Sequence, residues 1–96
     1  MIVETPNPAW TVYAHIAPNG KMYVGITHDD PVHRWNHGNG YKGNRHFTGA
    51  IRQFGWDIFQ HEIVASNLTA EEAGRMEQLL IRELNLNDPK YGYNKS

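Results

Sequence analysis

The sequence contains no cysteine, which excludes disulfide bonds and zinc–thiolate sites. It also lacks any apolar run of membrane-spanning length, and its N-terminus has no signal-peptide core. The formal net charge is only −1, which argues against strong non-specific nucleic-acid binding by the whole surface. With 96 residues, 40% of them hydrophobic and 20% charged, the chain is expected to be a single cytoplasmic domain.

Acidic residues are missing from one long interval of the chain. No Asp or Glu lies between Asp30 and Asp57, although this interval carries many basic side chains and histidines. They are Arg34, Lys42, Arg45, Arg52, His33, His37 and His46. Such a basic zone can attract a polyanion, and it can equally be an ordinary solvated surface. Composition alone leaves both interpretations open.

Residues 10–27 predict a β-hairpin, because apolar and polar side chains alternate on both sides of a turn at Pro18-Asn19-Gly20. A three-residue loop with a left-handed glycine gives each strand a consistent apolar face. In that register Tyr13 lies opposite Gly25, and Tyr23 lies on the same face. The two phenols then flank a position without a side chain, where a substrate could approach the backbone. The alternative is that both tyrosines simply pack there.

The rest of the chain predicts about three helices and one more strand. Asp30 followed by Pro31 marks a helix start, and Thr69 with Glu72 forms a capping box. The predicted elements are a short helix from Pro31 that ends by Gly38, a helix over Arg45–Phe54, a strand over 56–65 that is central in the sheet, and a helix over 70–84. A glycine-rich loop between the first two helices should expose Tyr41. The fold expected is α+β, with a small antiparallel three-stranded sheet flanked by helices, after a lead-in arm over residues 1–9.

One acidic side chain of the last helix is placed unusually. On a helical wheel, Glu77 falls within the apolar stripe, between Met76 and Ile81. A carboxylate aimed at the core is costly unless it is paired, hydrogen-bonded or bound to a metal. A carboxylate that leans out at the edge of the stripe is the alternative.

Taken in order, these residues resemble the GIY-YIG nuclease superfamily, over nearly the whole chain from Thr11 to Asn94. Its two name motifs are matched by Thr11-Val12-Tyr13, where threonine replaces the first glycine, and by Tyr23-Val24-Gly25. The other matches are Arg34 for the helix arginine, His37 or Tyr41 for the residue after it, His46 for a later histidine, Glu77 for the metal-binding glutamate and Asn94 for the late asparagine.

The resemblance implies an endonuclease that hydrolyses DNA phosphodiester bonds with one divalent metal ion, Mg²⁺ or Mn²⁺ as its substitute. Glu77 would hold the metal and Arg34 would stabilise the phosphate, while Tyr13, Tyr23 or His46 would activate water. The implied catalytic set is Tyr13, Tyr23, Arg34, His46, Glu77 and Asn94. The residues expected to bind substrate are Lys21, His37, Tyr41, Lys42 and Arg45. The sequence as a whole is similar to phage and mobile-element members of this superfamily, the homing endonucleases among them.

Three other functions compete with this interpretation. One is a purely structural or protein-binding domain, for which the polar residues on the outer hairpin face and an inward glutamate are poor choices. The first of the other two is a nucleic-acid-binding module of the same fold without catalytic activity. The second is a zinc site formed by His33 and His37, which are four residues apart on the first predicted helix. The near-neutral charge also suggests that DNA recognition needs a separate domain or a second copy of the chain.

Overall fold

The computed structural model describes residues 9–95, and the predicted lead-in arm lies almost entirely outside them. The strands are β1 (Trp10–Ile16), β2 (Met22–Thr27) and β3 (Gln60–Leu68), and the helices are α1 (Pro31–Trp35), α2 (Arg45–Phe54) and α3 (Ala70–Glu83). Short 3₁₀ segments cover Asn36–Tyr41 and Trp56–Ile58. The predicted α+β architecture is confirmed. No helix within 9–95 has the length and apolar character needed to cross a membrane.

The three strands form one antiparallel sheet in the order β2-β1-β3. The prediction that the third strand is central was wrong, because β1 pairs on both sides and β3 lies at an edge. Two apolar side chains of β3, Ile63 and Val64, are nearly half exposed, so its mixed pattern did not signal burial on both faces. The strand also begins later than predicted, since Trp56–Ile58 forms a 3₁₀ turn first.

The predicted register of the hairpin is confirmed. Tyr13 pairs with Gly25, and His15 pairs with Tyr23. The loop is closed by a hydrogen bond of 2.9 Å from the Ala17 amide to the Lys21 carbonyl, and Gly20 adopts a φ of 87°. That left-handed conformation favours glycine, so the turn fixes the register of everything that follows.

Both faces of the sheet are covered. One face packs Val12, Ala14 and Val24 against α3, where Ala73 is fully buried. The other face carries the two hairpin tyrosines and packs against α1, α2 and the first 3₁₀ segment. That second layer is mainly aromatic and includes Trp35, Tyr41, Phe47, Phe59 and Tyr93.

Local signals set the helix boundaries. The side chain of Asp30 accepts a hydrogen bond from the Val32 amide, and that of Asn44 accepts one from the Phe47 amide. The capping box predicted at Thr69 and Glu72 is present in both directions. It starts α3 at the register that aims Glu77 toward the edge of the sheet rather than into bulk solvent.

Candidate active site

A cavity of about 420 Å³ lies between the edge strand β2, the first 3₁₀ segment, α3 and the C-terminal tail. Its lining brings together side chains from distant parts of the sequence. They include Tyr23, Arg34, Tyr41, Glu77, Asn94 and Lys95. Five of these six residues were predicted as site residues. The six come from β2, α1, the first 3₁₀ segment, α3 and the C-terminal tail.

Glu77 is the carboxylate of this cavity. It is partly buried on α3, and burial raises the pKa of its carboxyl group above the ordinary value. Within residues 9–95 the carboxylate has no hydrogen bond and no ion pair. The helical wheel placed Glu77 in the apolar stripe. In the structure this carboxylate faces the cavity, and no cation of residues 9–95 pairs with it.

Arg34 reaches the same cavity from α1 and is held by two contacts. Its Nη1 donates a hydrogen bond of 2.9 Å to the Gly40 carbonyl, and its guanidinium lies 4.9 Å from the centre of the Tyr41 ring. A Cβ atom at Gly40 would come within 2.5 Å of the Arg34 Nη1. Glycine is therefore required at this position for the arginine to adopt its orientation.

Tyr13 lies just beneath the cavity, and Gly25 decides where its ring can go. A Cβ at position 25 would lie 2.5 Å from the Tyr13 hydroxyl oxygen. The space above this glycine is thus filled by the phenol itself, so the expectation of a substrate approach to the backbone there was wrong. The glycine instead lets Tyr13 cross over β2 toward the cavity edge, with 1% of its surface exposed.

Tyr41 is buried, which contradicts the prediction of an exposed loop residue. Only 3% of its surface is accessible, because its ring packs edge-on against Tyr23 and Phe47. Its hydroxyl oxygen lies 3.1 Å from that of Tyr13 and 2.7 Å from His15 Nε2. The glycine-rich sequence around it suggested solvent exposure, but the 3₁₀ turn directs the ring inward.

All three phenols are held in the neutral form by their surroundings. Burial raises the pKa of Tyr13, that of Tyr41 more strongly, and that of Tyr23 to about 12. Arg34 opposes this rise at each phenol, whereas Glu77 adds to it at Tyr13 and Tyr23. A phenol in this cavity can therefore accept a proton only if it transfers its own proton to another acceptor.

Asn94 uses its entire side-chain amide to hold the tail on β2. Its Oδ1 accepts a hydrogen bond of 3.0 Å from the Val24 amide, and its Nδ2 donates one of 2.7 Å to the Val24 carbonyl. This pairing imitates one residue of an added strand at the sheet edge. It fixes the backbone next to Tyr23.

The structure does not bring every predicted site residue into this cavity. His46 contacts the ring of Tyr93, at 4.8 Å between centroids, and lines a separate cavity together with Lys21 and Arg45. His37 is exposed and lines a third cavity with Lys42. These five residues do not line the cavity that contains the carboxylate, although His46 also lines a further cavity with Asn94 and Lys95 of the site.

The predicted histidine pair for zinc does not share a helix. α1 ends at Trp35, and both Asn36 and His37 adopt left-handed φ values of 47° and 53°. His33 instead contacts the carboxylate of Asp29, with 2.6 Å between Nδ1 and Oδ2, at the surface. No group of three metal-ligating side chains occurs among residues 9–95.

Sequence reasoning missed two features of the site. Lys95 lines the cavity and donates a hydrogen bond of 3.0 Å to the Gly43 carbonyl, although nothing marks it apart from its proximity to Asn94. His15 is completely buried behind Tyr41 and contacts His61, which is 46 positions away in sequence. A histidine at a strand position facing the tyrosines was the only available signal.

A family model described as the GIY-YIG catalytic domain matches residues 9–93, which is nearly the whole chain. No curated protein and no solved structure matches the chain.

Proposed function

Because this chain belongs to the GIY-YIG family of nucleases, we propose that it is a divalent-metal-dependent endonuclease that hydrolyses phosphodiester bonds in DNA. The observation that carries the proposal is the joint placement of Glu77 and Arg34 on one cavity beside the phenols. One carboxylate and one guanidinium face the same space without pairing with each other. Such a space suits a cation and an anionic phosphate together.

The residues of the cavity fit a single oxygen-ligated ion. Glu77 is partly buried and lacks a protein partner among residues 9–95, and its raised pKa reflects a charge that burial leaves uncompensated. Mg²⁺ is commonly held by one or two carboxylates, keeps several waters and contacts substrate phosphate. When bound, the ion supplies charge neutralisation at the phosphate and makes a nearby water more acidic. Mn²⁺ accepts the same oxygen donors.

Arg34 is the group we assign to the phosphate. Its planar guanidinium presents several donors in a fixed arrangement that matches two phosphate oxygens. The Gly40 carbonyl and the Tyr41 ring hold it in place before substrate arrives, so little reorganisation is needed. Lys95 adds a second cation at the rim of the cavity.

Water activation is assigned to the phenols of the site. Tyr23 lines the cavity, and Tyr13 lies beneath it in contact with Tyr41. His46 lies in a separate cavity, so its assignment as the base has less support. Asn94 acts as a positioning residue through its two hydrogen bonds to Val24.

DNA contacts are assigned to the basic residues around the site. Lys42 and Arg45 are exposed on either side of the turn that precedes α2. Lys21 lines a cavity with Arg45, and His37 lines one with Lys42. With a net charge of −1, this set gives modest attraction to a polyanion. We therefore propose that a second recognition element, either another domain or a second copy, supplies target affinity.

Nicking of supercoiled plasmid tests the proposal. The protein should convert supercoiled to open-circular DNA with Mg²⁺ or Mn²⁺ and should be inactive in EDTA. Metal-independent DNA binding without any cleavage, including at high protein concentration, would instead support the non-catalytic module.

A further inference from the structure

Behind the phenols lies a pair of contacting histidines, the buried His15 and the partly exposed His61. His15 Nε2 is 2.7 Å from the Tyr41 hydroxyl, and its Nδ1 is 2.8 Å from Nδ1 of His61. The second nitrogen of His61 is 3.1 Å from the Trp56 carbonyl oxygen. These contacts, with that between Tyr41 and Tyr13, form an unbroken chain of hydrogen-bonding groups from the cavity edge across the sheet.

The carbonyl at the far end sets the direction of the chain. A carbonyl only accepts, so Nε2 of His61 carries a proton, and Nδ1 of neutral His61 is then an acceptor. His15 must donate to it from Nδ1, which leaves its Nε2 to accept from the Tyr41 hydroxyl. The Tyr41 hydroxyl can donate its single proton either to Tyr13, at 3.1 Å, or to His15, at 2.7 Å. The order set by the carbonyl assigns that proton to His15, so in this arrangement Tyr13 donates to Tyr41. Each group thus points its proton away from the cavity.

We infer that Tyr41, His15 and His61 form a path that carries the proton of the attacking water from the cavity along one face of the sheet to its β3 edge. The inference rests on the proposed nuclease function and adds the destination of the proton to it. His15 is fully buried, whereas His61 is partly exposed and can exchange its proton with solvent.

The proton balance of the step is complete. As the water oxygen forms its bond to phosphorus, the water O–H bond breaks and a proton reaches the Tyr41 oxygen, either directly or through Tyr13, which takes up the water proton and passes its own proton to Tyr41. The Tyr41 proton moves to His15 Nε2, and the His15 Nδ1 proton moves to His61 Nδ1. Both tyrosines and His15 end neutral, and His61 alone becomes a cation. The departing oxygen takes a proton from solvent.

The surroundings of His15 favour transfer of the proton through its imidazole and disfavour a protonated His15. Burial, together with nearby His61 and Arg34, lowers the pKa of His15 to about 3. The aromatic rings of Trp35, Phe47 and Trp56 enclose its imidazole. Glu77 acts on Tyr13 and Tyr23 from α3, and Glu62, next to His61 on β3, is hydrogen-bonded to Gln60. Within residues 9–95, no carboxylate bonds either imidazole.

The test is the dependence of single-turnover DNA cleavage on pH for wild type, His61→Gln and the surface control His33→Gln. Glutamine can accept from His15 and donate to the Trp56 carbonyl, so the hydrogen bonds are kept while the proton acceptor is removed. Wild-type cleavage should rise with pH and then reach a plateau, because the path supplies a protein acceptor for the proton of the water. The His61→Gln rate should be about 10²-fold lower near neutral pH and should continue to rise with pH, because its proton must go to hydroxide.

Each result decides the inference. His33→Gln should follow the wild type throughout. A His61→Gln profile that equals the wild type, or one that is lower but has the same shape and plateau, would overturn the path. Absence of metal-dependent cleavage by the wild type would instead refute the proposed function, which the path requires.

Nitrogen-15 NMR of the wild type gives a readout independent of activity. The path requires the Nδ1–H tautomer at His15 and the Nε2–H tautomer at His61, with His15 neutral at pH 5. The opposite tautomer at His15, with Nε2 donating to Tyr41, would contradict the inference even if His61→Gln failed to fold.

Discussion

At the scale of single residues, the site depends on two charged side chains that face each other across a cavity without pairing. Glu77 brings a carboxylate that burial penalises, and Arg34 brings a cation held by a backbone carbonyl and an aromatic ring. Neither group gains stability for the fold from an ion pair within the described chain. The proposed binding of a metal ion and a phosphate between them would account for this placement.

Arg34→Ala should reduce kcat/KM for DNA cleavage by about 10²- to 10³-fold, because one preorganised donor to the transition-state charge is lost. Arg75→Ala is the matched control, since Arg75 is an exposed arginine on the outer side of α3. The measurement is single-turnover cleavage of a plasmid at fixed ionic strength. Equal losses in the two variants would show that only general electrostatic attraction is involved.

Gly25→Ala should impair cleavage at least tenfold, because the added methyl group would occupy the position of the Tyr13 hydroxyl. Moving the ring should also cost about 1–3 kcal/mol of unfolding free energy. Gly74→Ala is the control: nothing lies within 4 Å of its Cβ, and it is inside α3. That change should raise stability by about 0.5–1 kcal/mol and leave cleavage unaltered. Urea unfolding and plasmid nicking measure both effects, and a fully active Gly25→Ala protein would refute this account of Tyr13.

At the scale of elements, the edge strand β2 is held between β1 and the C-terminal tail. The tail adds hydrogen bonds from Asn94 to Val24 and from the Tyr93 amide to the Met22 carbonyl. This pairing places Tyr23 and Asn94 on the same cavity. It also leaves β3, rather than β2, as the uncovered edge of the sheet within residues 9–95.

Asn94→Ala should lower the free energy of unfolding by about 1–3 kcal/mol, since the Val24 amide and carbonyl lose their partners. The Val24 amide should exchange with deuterium much faster, which NMR measures directly. Asn87→Ala, a change at an exposed position of the same tail, should alter neither quantity. Unchanged Val24 protection in Asn94→Ala would contradict the positioning role.

Elements with local signals were predictable from the sequence. The loop at Pro18-Asn19-Gly20, the cap at Asp30 and the capping box at Thr69 fixed the hairpin register and two helix starts, because each signal acts within a few residues. Glu77 and Arg34 were predicted as site residues, and both line the same cavity. The burial of Tyr41 and the contact of His15 with His61 depend on side chains distant in sequence, so no local pattern carried them. The edge position of β3 likewise depends on pairing with β1.

At the scale of the whole molecule, the sheet carries a different layer on each face. The layer under α3 is mainly aliphatic, whereas the layer on the other face is aromatic and surrounds the buried imidazole of His15. Burial of a neutral histidine in the second layer makes the stability of the fold depend on pH. The direction of that dependence follows from the two protonation states.

Stability should fall as the pH decreases from about 6.5, because the unfolded chain protonates His15 there while the folded protein keeps its pKa at about 3. The free energy of unfolding should therefore be about 2 kcal/mol lower at pH 5 than at pH 7.5. The stabilisation from a neutral His15 is fully present above the unfolded pKa. Urea unfolding at the two pH values, compared between wild type and His15→Gln, isolates it. An identical pH dependence in the two proteins would refute a neutral, buried His15.

The most direct measurement is nicking of supercoiled plasmid by wild type, Glu77→Ala and Glu83→Ala, each with Mg²⁺ and with EDTA. Glu83 is an exposed carboxylate near the end of the same helix, so its removal controls for charge and helix propensity. We predict metal-dependent nicking by wild type and Glu83→Ala. Glu77→Ala should lose nicking, although its unfolding temperature should be no lower than that of the wild type. Nicking by Glu77→Ala at the wild-type rate would contradict the assignment of this cavity as the metal-binding active site.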